Sequence, residues 1–293
     1  MFTGSITALI TPFRDGNIDE GGLKRLIDFQ ILNGTNGVVP CGTTGESATL
    51  SYEEHNRVIE LTIEAAAGRV PVIAGTGSNS TSETIALTRH AKKAGADAAL
   101  LITPYYNKPT QPGLYEHYKK VAEEVDIPII LYNVPGRTSV NMLPETVARL
   151  SEVKNIIGIK EATGDLKQVS DVIEFSRKGF LVLSGDDYTT LPLLSIGGHG
   201  VISVTSNIMP KEMSGMVNSF LSGKMDEAKR LHFRLQPLHR AMFIETNPIP
   251  VKTALSIMGM VEEEFRLPLT RMSEANRARL ISVLKAYGLG ARS

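Results

Sequence analysis

The chain has 293 residues, 42% of them hydrophobic and 21% charged, a globular composition with material for a large core that excludes disorder and low complexity. Thirty-one Lys and Arg balance thirty-one Asp and Glu, so no global field draws the protein to nucleic acid or to an anionic membrane, and a small ligand is the expected partner. Cys41 is the single cysteine, which excludes an intramolecular disulfide and fits a reducing compartment, the cytoplasm being the expected location.

The opening MFTGSITALITPF has no basic residue before Arg14 and no small-residue cleavage pattern, so it reads as a strand and not as a signal peptide. Further apolar, β-rich runs follow it in chain order. The eight expected strands are Ser5–Ile10, Gly37–Cys41, Val70–Ala74, Ala98–Thr103, Ile127–Tyr132, Ile156–Lys160, Phe180–Ser184 and Val201–Thr205. Helical apolar spacing lies between them. Ser51 to Glu54 and Ser80 to Glu83 have the form of capping boxes, and Gly95 and Gly179 stand where helices should stop. Eight strand and helix units ending near residue 224 predict a (β/α)8 TIM barrel over residues 1–224. Residues 225–293 carry helical patterns only, interrupted at Asn247-Pro248 and Leu267-Pro268, and are expected to pack on the barrel as a helical appendage.

No run approaches the roughly 18 apolar residues of a membrane span. Paired CxxC, HExxH and Walker-type motifs are missing, and the GTG at Gly75 to Gly77 lacks the third glycine of a dinucleotide loop, so neither a metal nor a nucleotide cofactor is expected.

Active sites of such barrels lie at the C-terminal ends of the strands. Lys160 ends the sixth, and alternation puts Ile156, Gly158 and Lys160 on one face with Ile157 and Ile159 on the other. If that face is the lumen, Gly158 leaves space beneath the amine, and desolvation favours the free amine that can attack a carbonyl to form a Schiff base. The plain alternative is a lysine paired with Glu161. Such chemistry also needs a proton shuttle, and Tyr132, ending the neighbouring fifth strand, points to the same side if Ile130 shares its face. A merely structural hydrogen bond is its alternative. Thr43 and Thr44, in the turn Gly42 to Gly45, offer hydroxyls and N–H groups to a small carboxylate, or else only cap the backbone. Arg137 could clamp a second carboxylate, or form a surface salt bridge.

Together these motifs resemble the class I, lysine-dependent pyruvate aldolases, the N-acetylneuraminate lyase family. The stretches GSITALITPF, GTTGESATL, TPYYNKP, YNVPGRT, IGIKEATGD, LSGDD, GGHGVISV and NPIPVK carry the match along essentially the whole chain. Within that family the closer resemblance is to the members that condense pyruvate with L-aspartate 4-semialdehyde to 4-hydroxy-tetrahydrodipicolinate, in lysine and diaminopimelate biosynthesis. The resemblance implies no cofactor beyond the covalent Schiff base of Lys160 with pyruvate. It makes Tyr132 the central proton-relay residue, linked by Thr43 to Tyr106 from a neighbouring subunit. Thr43 and Thr44 would hold the pyruvate carboxylate and Arg137 that of the semialdehyde, with Gly185, Asp186 and Ile202 lining the pocket. A homotetramer built of two tight dimers is implied as well. Lysine feedback would use Ser47, Ala48, His55, Asn79, Glu83 and Tyr105, although Tyr52 stands where many inhibited members carry another histidine. The plain alternative for His55 is an exposed helix residue with no ligand. A sister activity, N-acetylneuraminate lyase or keto-sugar-acid aldolase, uses the same lysine, and Arg137 argues against it because it suits a short substrate with a terminal carboxylate. A non-catalytic binder would have no use for a reactive amine.

Overall fold

A computed structural model describes residues 2–290; residue 1 and residues 291–293, the outer ends of the two expected regions, lie outside the described residues. Eight parallel strands form the ring: β1 (Gly4–Ala8), β2 (Gly37–Val39), β3 (Ile73–Gly75), β4 (Ala98–Ile102), β5 (Ile129–Asn133), β6 (Ile156–Glu161), β7 (Leu181–Ser184) and β8 (Gly200–Ser203). Strands adjacent in sequence pair along the ring, β1 pairs with β8, and a parallel bridge between Val38 and Val72 joins β2 to the start of β3. The architecture is the expected (β/α)8 barrel. Every expected strand is present, with its ends within three residues of the expected bounds.

The helices are α1 (Glu20–Leu32), α2 (Tyr52–Ala66), α3 (Thr81–Ala94), α4 (Gln111–Glu124), α5 (Pro144–Ser151), α6 (Leu166–Phe175), α7 (Thr190–Ser195) and α8 (Pro210–Leu221), followed by α9 (Met225–Met242), α10 (Ile249–Ile257) and α11 (Glu274–Ala286). Both halves of the capping box at Ser51 form: its hydroxyl accepts from the Glu54 N–H, and the Glu54 carboxylate accepts from the Ser51 N–H at 2.9 Å. At α3 only half forms. Ser80 accepts from the Glu83 N–H, while the Glu83 carboxylate is taken by the Ser78 hydroxyl at 2.7 Å. Gly95 caps α3 at φ 102°, as its position suggested. Gly179 does not cap its helix, which ends four residues earlier at Phe175; it turns the connection to β7 at φ 85°.

Alternation along the strands sorts the core into layers. Ile6, Leu100, Ile130, Tyr132, Leu183 and Ile202 fill the lumen, whereas Leu101, Ile129, Leu131, Ile159 and Val182 face the helices. In β6 the alternation is broken. Ile129 pairs with Ile156, but Ile130 pairs with Gly158, so Ile157 is the extra residue of a bulge. Ile156 therefore lies on the helix side with Ile159, and Ile157 packs toward the lumen, the reverse of strict period two. Beyond the bulge the expected phase returns, with Lys160 inward.

After residue 224, Leu235, Leu238, Val251 and Leu280 share one buried cluster with Ile10, Val201 and Val204 of the barrel side. Among the described residues no helix is long and apolar enough to cross a membrane.

Candidate active site

Lys160 and Tyr132 are Cα partners across β5 and β6, and both point into the mouth of the barrel. Lys160 is 6% exposed, with Nζ over the Tyr132 ring at 4.2 Å from its centroid. No carboxylate lies within salt-bridge distance of Nζ among the described residues. Glu161, the partner that alternation to the opposite face forbids, is caged on the far side of the strand. It accepts from Asn133 Nδ2 at 3.1 Å and from the Thr163 N–H at 2.8 Å, and burial pushes its carboxyl pKa up despite these donors.

The room for the lysine comes from a different glycine than expected. A Cβ on Gly158 would strike the Leu181 carbonyl oxygen at 2.6 Å, so that glycine serves the close approach of β6 and β7. A Cβ on Gly185 would meet Ala162 Cβ at 2.7 Å and Lys160 Cε at 3.0 Å. Gly185 is the residue that leaves space for the lysine stem. Gly185→Ala should therefore slow reductive trapping of a keto acid at Lys160 at least tenfold, while costing about 1–3 kcal/mol in stability by overpacking. Unchanged trapping kinetics would assign Gly185 to the turn alone.

The threonine turn lies between β2 and α2. Thr43–Gly45 and Ser47–Thr49 are short 3-10 turns meeting at Glu46. Thr44 is buried, and its hydroxyl accepts from Asn247 Nδ2 at 3.0 Å. Arg137, in the helical turn Pro135–Thr138 after β5, donates from Nη2 to the Asn247 carbonyl at 3.3 Å and has no acidic partner among the described residues, against the surface salt bridge. Lys160, Tyr132, Thr43, Thr44, Arg137, Gly185 and Asp186 surround one inner cavity of about 170 Å³. Asp186 turns its carboxylate to the Tyr188 N–H and the Thr189 hydroxyl, and burial raises its pKa. Ile202 is buried in the lumen and does not reach the cavity surface.

A larger cleft of about 530 Å³ opens beside this cavity and shares Thr43, Tyr132, Arg137 and Asn247 with it. Its outer part is lined by Ser47, Ala48, Tyr52, His55, Glu83 and Tyr105. Asn79 is not on this wall; its carbonyl accepts from Asn107 Nδ2 at 2.9 Å. His55 is buried, not exposed, and desolvation lowers its pKa to about 4, so the ring is neutral near pH 7. The Glu83 carboxylate near Tyr52 raises the phenol pKa. Tyr106 stands apart from both cavities of its own chain: it is 89% exposed, at φ 68°. Cys41 is buried, and desolvation raises its thiol pKa, which leaves the unreactive thiol form. Among the described residues no group of three or more His, Cys, Asp or Glu is placed to hold a metal.

Three polar residues at the site were not anticipated. Asn247 touches Thr44 and Arg137 at once, and Lys252 forms a buried pair with Glu46, Nζ to Oε1 at 2.6 Å. The NPIPVK motif held both residues, but nothing local said that this segment folds back over the turn.

The chain matches the model of the dihydrodipicolinate synthetase family over residues 1–287. It is 60% identical to the 4-hydroxy-tetrahydrodipicolinate synthase of Thermodesulfovibrio yellowstonii over 99% of both chains. Its fold superposes with a TM-score of 0.96 on the chloride-inhibited dihydrodipicolinate synthase of Acinetobacter baumannii complexed with pyruvate, at 50% identity over 99% of this chain and 100% of that one. The corresponding enzyme of Cyanidioschyzon merolae, with lysine bound, gives a TM-score of 0.95 at 41% identity, covering 98% and 99% of the two chains.

Proposed function

The chain belongs to the dihydrodipicolinate synthetase family, and from that premise we infer how its cavity joins pyruvate to L-aspartate 4-semialdehyde. The protein is a lyase of lysine and diaminopimelate biosynthesis, and its reaction gives 4-hydroxy-tetrahydrodipicolinate and one water. The observation that carries the mechanism is a lysine without a carboxylate partner, stacked on a tyrosine, between a threonine turn and an arginine with no acidic partner among the described residues.

The Lys160 amine adds to C2 of pyruvate, and the carbinolamine expels water to leave the iminium. Loss of a C3 proton gives the enamine, whose C3 attacks the aldehyde carbon of the semialdehyde. The amino group of the second substrate then adds to C2 and displaces the lysine, which closes the ring and returns the free amine. Tyr132, one strand away, carries protons to and from these intermediates. Thr43 links it to Tyr106, whose exposure and outward position fit a role in the site of a neighbouring subunit. Thr43 and Thr44 receive the pyruvate carboxylate, with Gly185 and Asp186 closing the wall and Ile202 supporting it from below. No cofactor enters this scheme.

Arg137 receives the carboxylate of the semialdehyde. Loss of a charge-assisted contact in a partly dry site should cost about 2–5 kcal/mol, so Arg137→Ala should raise the KM for the semialdehyde far more than that for pyruvate. Equal effects on both would place Arg137 outside the pocket. Coupled assays with the semialdehyde and with sialic acid test the wider reading: turnover of sialic acid in preference would replace it with the sugar-acid lyase.

The same reading includes a homotetramer made of two tight dimers, a cytoplasmic location, and feedback by lysine in the outer cleft formed by Ser47, Ala48, His55, Glu83 and Tyr105. Asn79, set back from that wall, would act there only through its neighbours. The division into a barrel over residues 1–224 and a helical region over 225–293 is retained as a description of chain organisation, supported by the strands all preceding residue 204.

A further inference from the structure

Next to the threonine turn, lining neither cavity, lies a second buried lysine. Lys252, on α10, is fully buried, with its Nζ 2.6 Å from Oε1 of Glu46 and 4.0 Å from the centroid of the Phe13 ring. The other Glu46 oxygen accepts from the Arg266 N–H at 3.2 Å. Burial lowers the lysine pKa to about 8, the mark of a costly place for a charge. A desolvated ion pair adds little net stability over an apolar pair of similar volume. Its effect here is on position. Glu46 sits at φ 53°, ψ 35°, a left-handed conformation that a residue with a Cβ keeps when its surroundings impose it. It also ends the turn Thr43–Gly45 and begins the turn Ser47–Thr49, so its orientation sets the peptide planes on both sides. The same turn is fixed at Thr44 by Asn247 and at the Gly45 carbonyl by the Thr11 hydroxyl at 2.7 Å.

We propose that the Glu46–Lys252 pair is a positioning device for the first substrate. It holds Glu46 in the left-handed conformation, and thereby places the Thr43 and Thr44 N–H and hydroxyl groups for the pyruvate carboxylate. The inference rests on the reading of that turn as the pyruvate carboxylate site. Removing the pair should weaken pyruvate binding and leave the semialdehyde, held by Arg137, unaffected.

The test uses the full chain carrying Glu46→Gln with Lys252→Met, which removes both charges together, with Glu46→Asp as a variant that keeps the charges and shortens the reach by one methylene. Thr44→Val is the control for the carboxylate reading. Steady-state kinetics in both substrates and thermal melting are measured for each. The double variant should melt within a few degrees of the parent, with the pyruvate KM raised about tenfold or more and the semialdehyde KM changed less than about twofold; Glu46→Asp should raise the pyruvate KM at least about threefold. Unchanged pyruvate KM in the folded double variant, alongside a large increase in Thr44→Val, overturns the proposal and leaves the carboxylate reading standing. If Thr44→Val also leaves pyruvate KM unchanged, the carboxylate reading falls and takes the proposal with it. Should the double variant fail to fold, Glu46→Asp decides alone, and an unchanged pyruvate KM in it overturns the proposal.

Discussion

Lys160→Ala should lose reductive trapping by pyruvate and borohydride and nearly all turnover, on the order of 10⁴-fold or more, because no other group in the cavity can form the imine. The inner cavity is lined by one amine, and the other buried lysine, Lys252, is fully buried against Glu46 and lines neither cavity. Truncation to alanine also removes a stem that lies beside Gly185, leaving a space that water can fill without disturbing β6. Melting should therefore change little. Peptide mapping after trapping of the parent protein should find the added mass on the peptide containing Lys160, and mass on a different lysine would refute the assignment.

Tyr132→Phe should slow turnover by roughly 10²- to 10⁴-fold, the usual cost of a lost positioned proton carrier. The substitution spares everything except the hydroxyl. The ring under Lys160 Nζ stays, as does its place in the lumen beside Ile130 and Leu183. Stability should be nearly unchanged, and trapping should still occur but more slowly, since water has to leave the carbinolamine without its proton donor. Wild-type rates in this variant would reduce Tyr132 to a surface on which the lysine rests.

The barrel could be read from the chain because its parallel strands, covered on both faces, are near-continuous apolar runs that stand out from the amphipathic helices between them. The pairing of Tyr132 with Lys160 was legible for a related reason: both end their runs, and adjacent parallel strands keep their ends level. The bulge at Ile157 was not, because a bulge is a property of two strands in register and leaves no trace in one strand's composition. The two glycines show the same limit. Gly158 lies beneath the lysine in sequence and suggested the space for it, yet its absent side chain answers to Leu181, while Gly185 answers to Lys160 from the next strand. The two-residue ribbon of Phe13–Arg14 with Asn17–Ile18 was too short to show any period. Asn247 and Lys252 sat inside a motif, but their contacts lie about two hundred residues back along the chain, at Thr44 and Glu46.

That last separation has a consequence in time. A ribosome delivers the chain from its N-terminus, so strands, lysine and tyrosine emerge and can pair well before the segment that completes the wall around Thr44 and Arg137 has been made. Arg137 waits for the Asn247 carbonyl, and Glu46 for Lys252 and then for the backbone of Arg266. A nascent barrel thus carries its reactive amine in an unfinished pocket, and competence for binding arrives only once the segment from Asn247 to Arg266 has been made. A chain cut short before residue 247 would keep every strand of the ring and lack the groups that steady both carboxylate-facing elements.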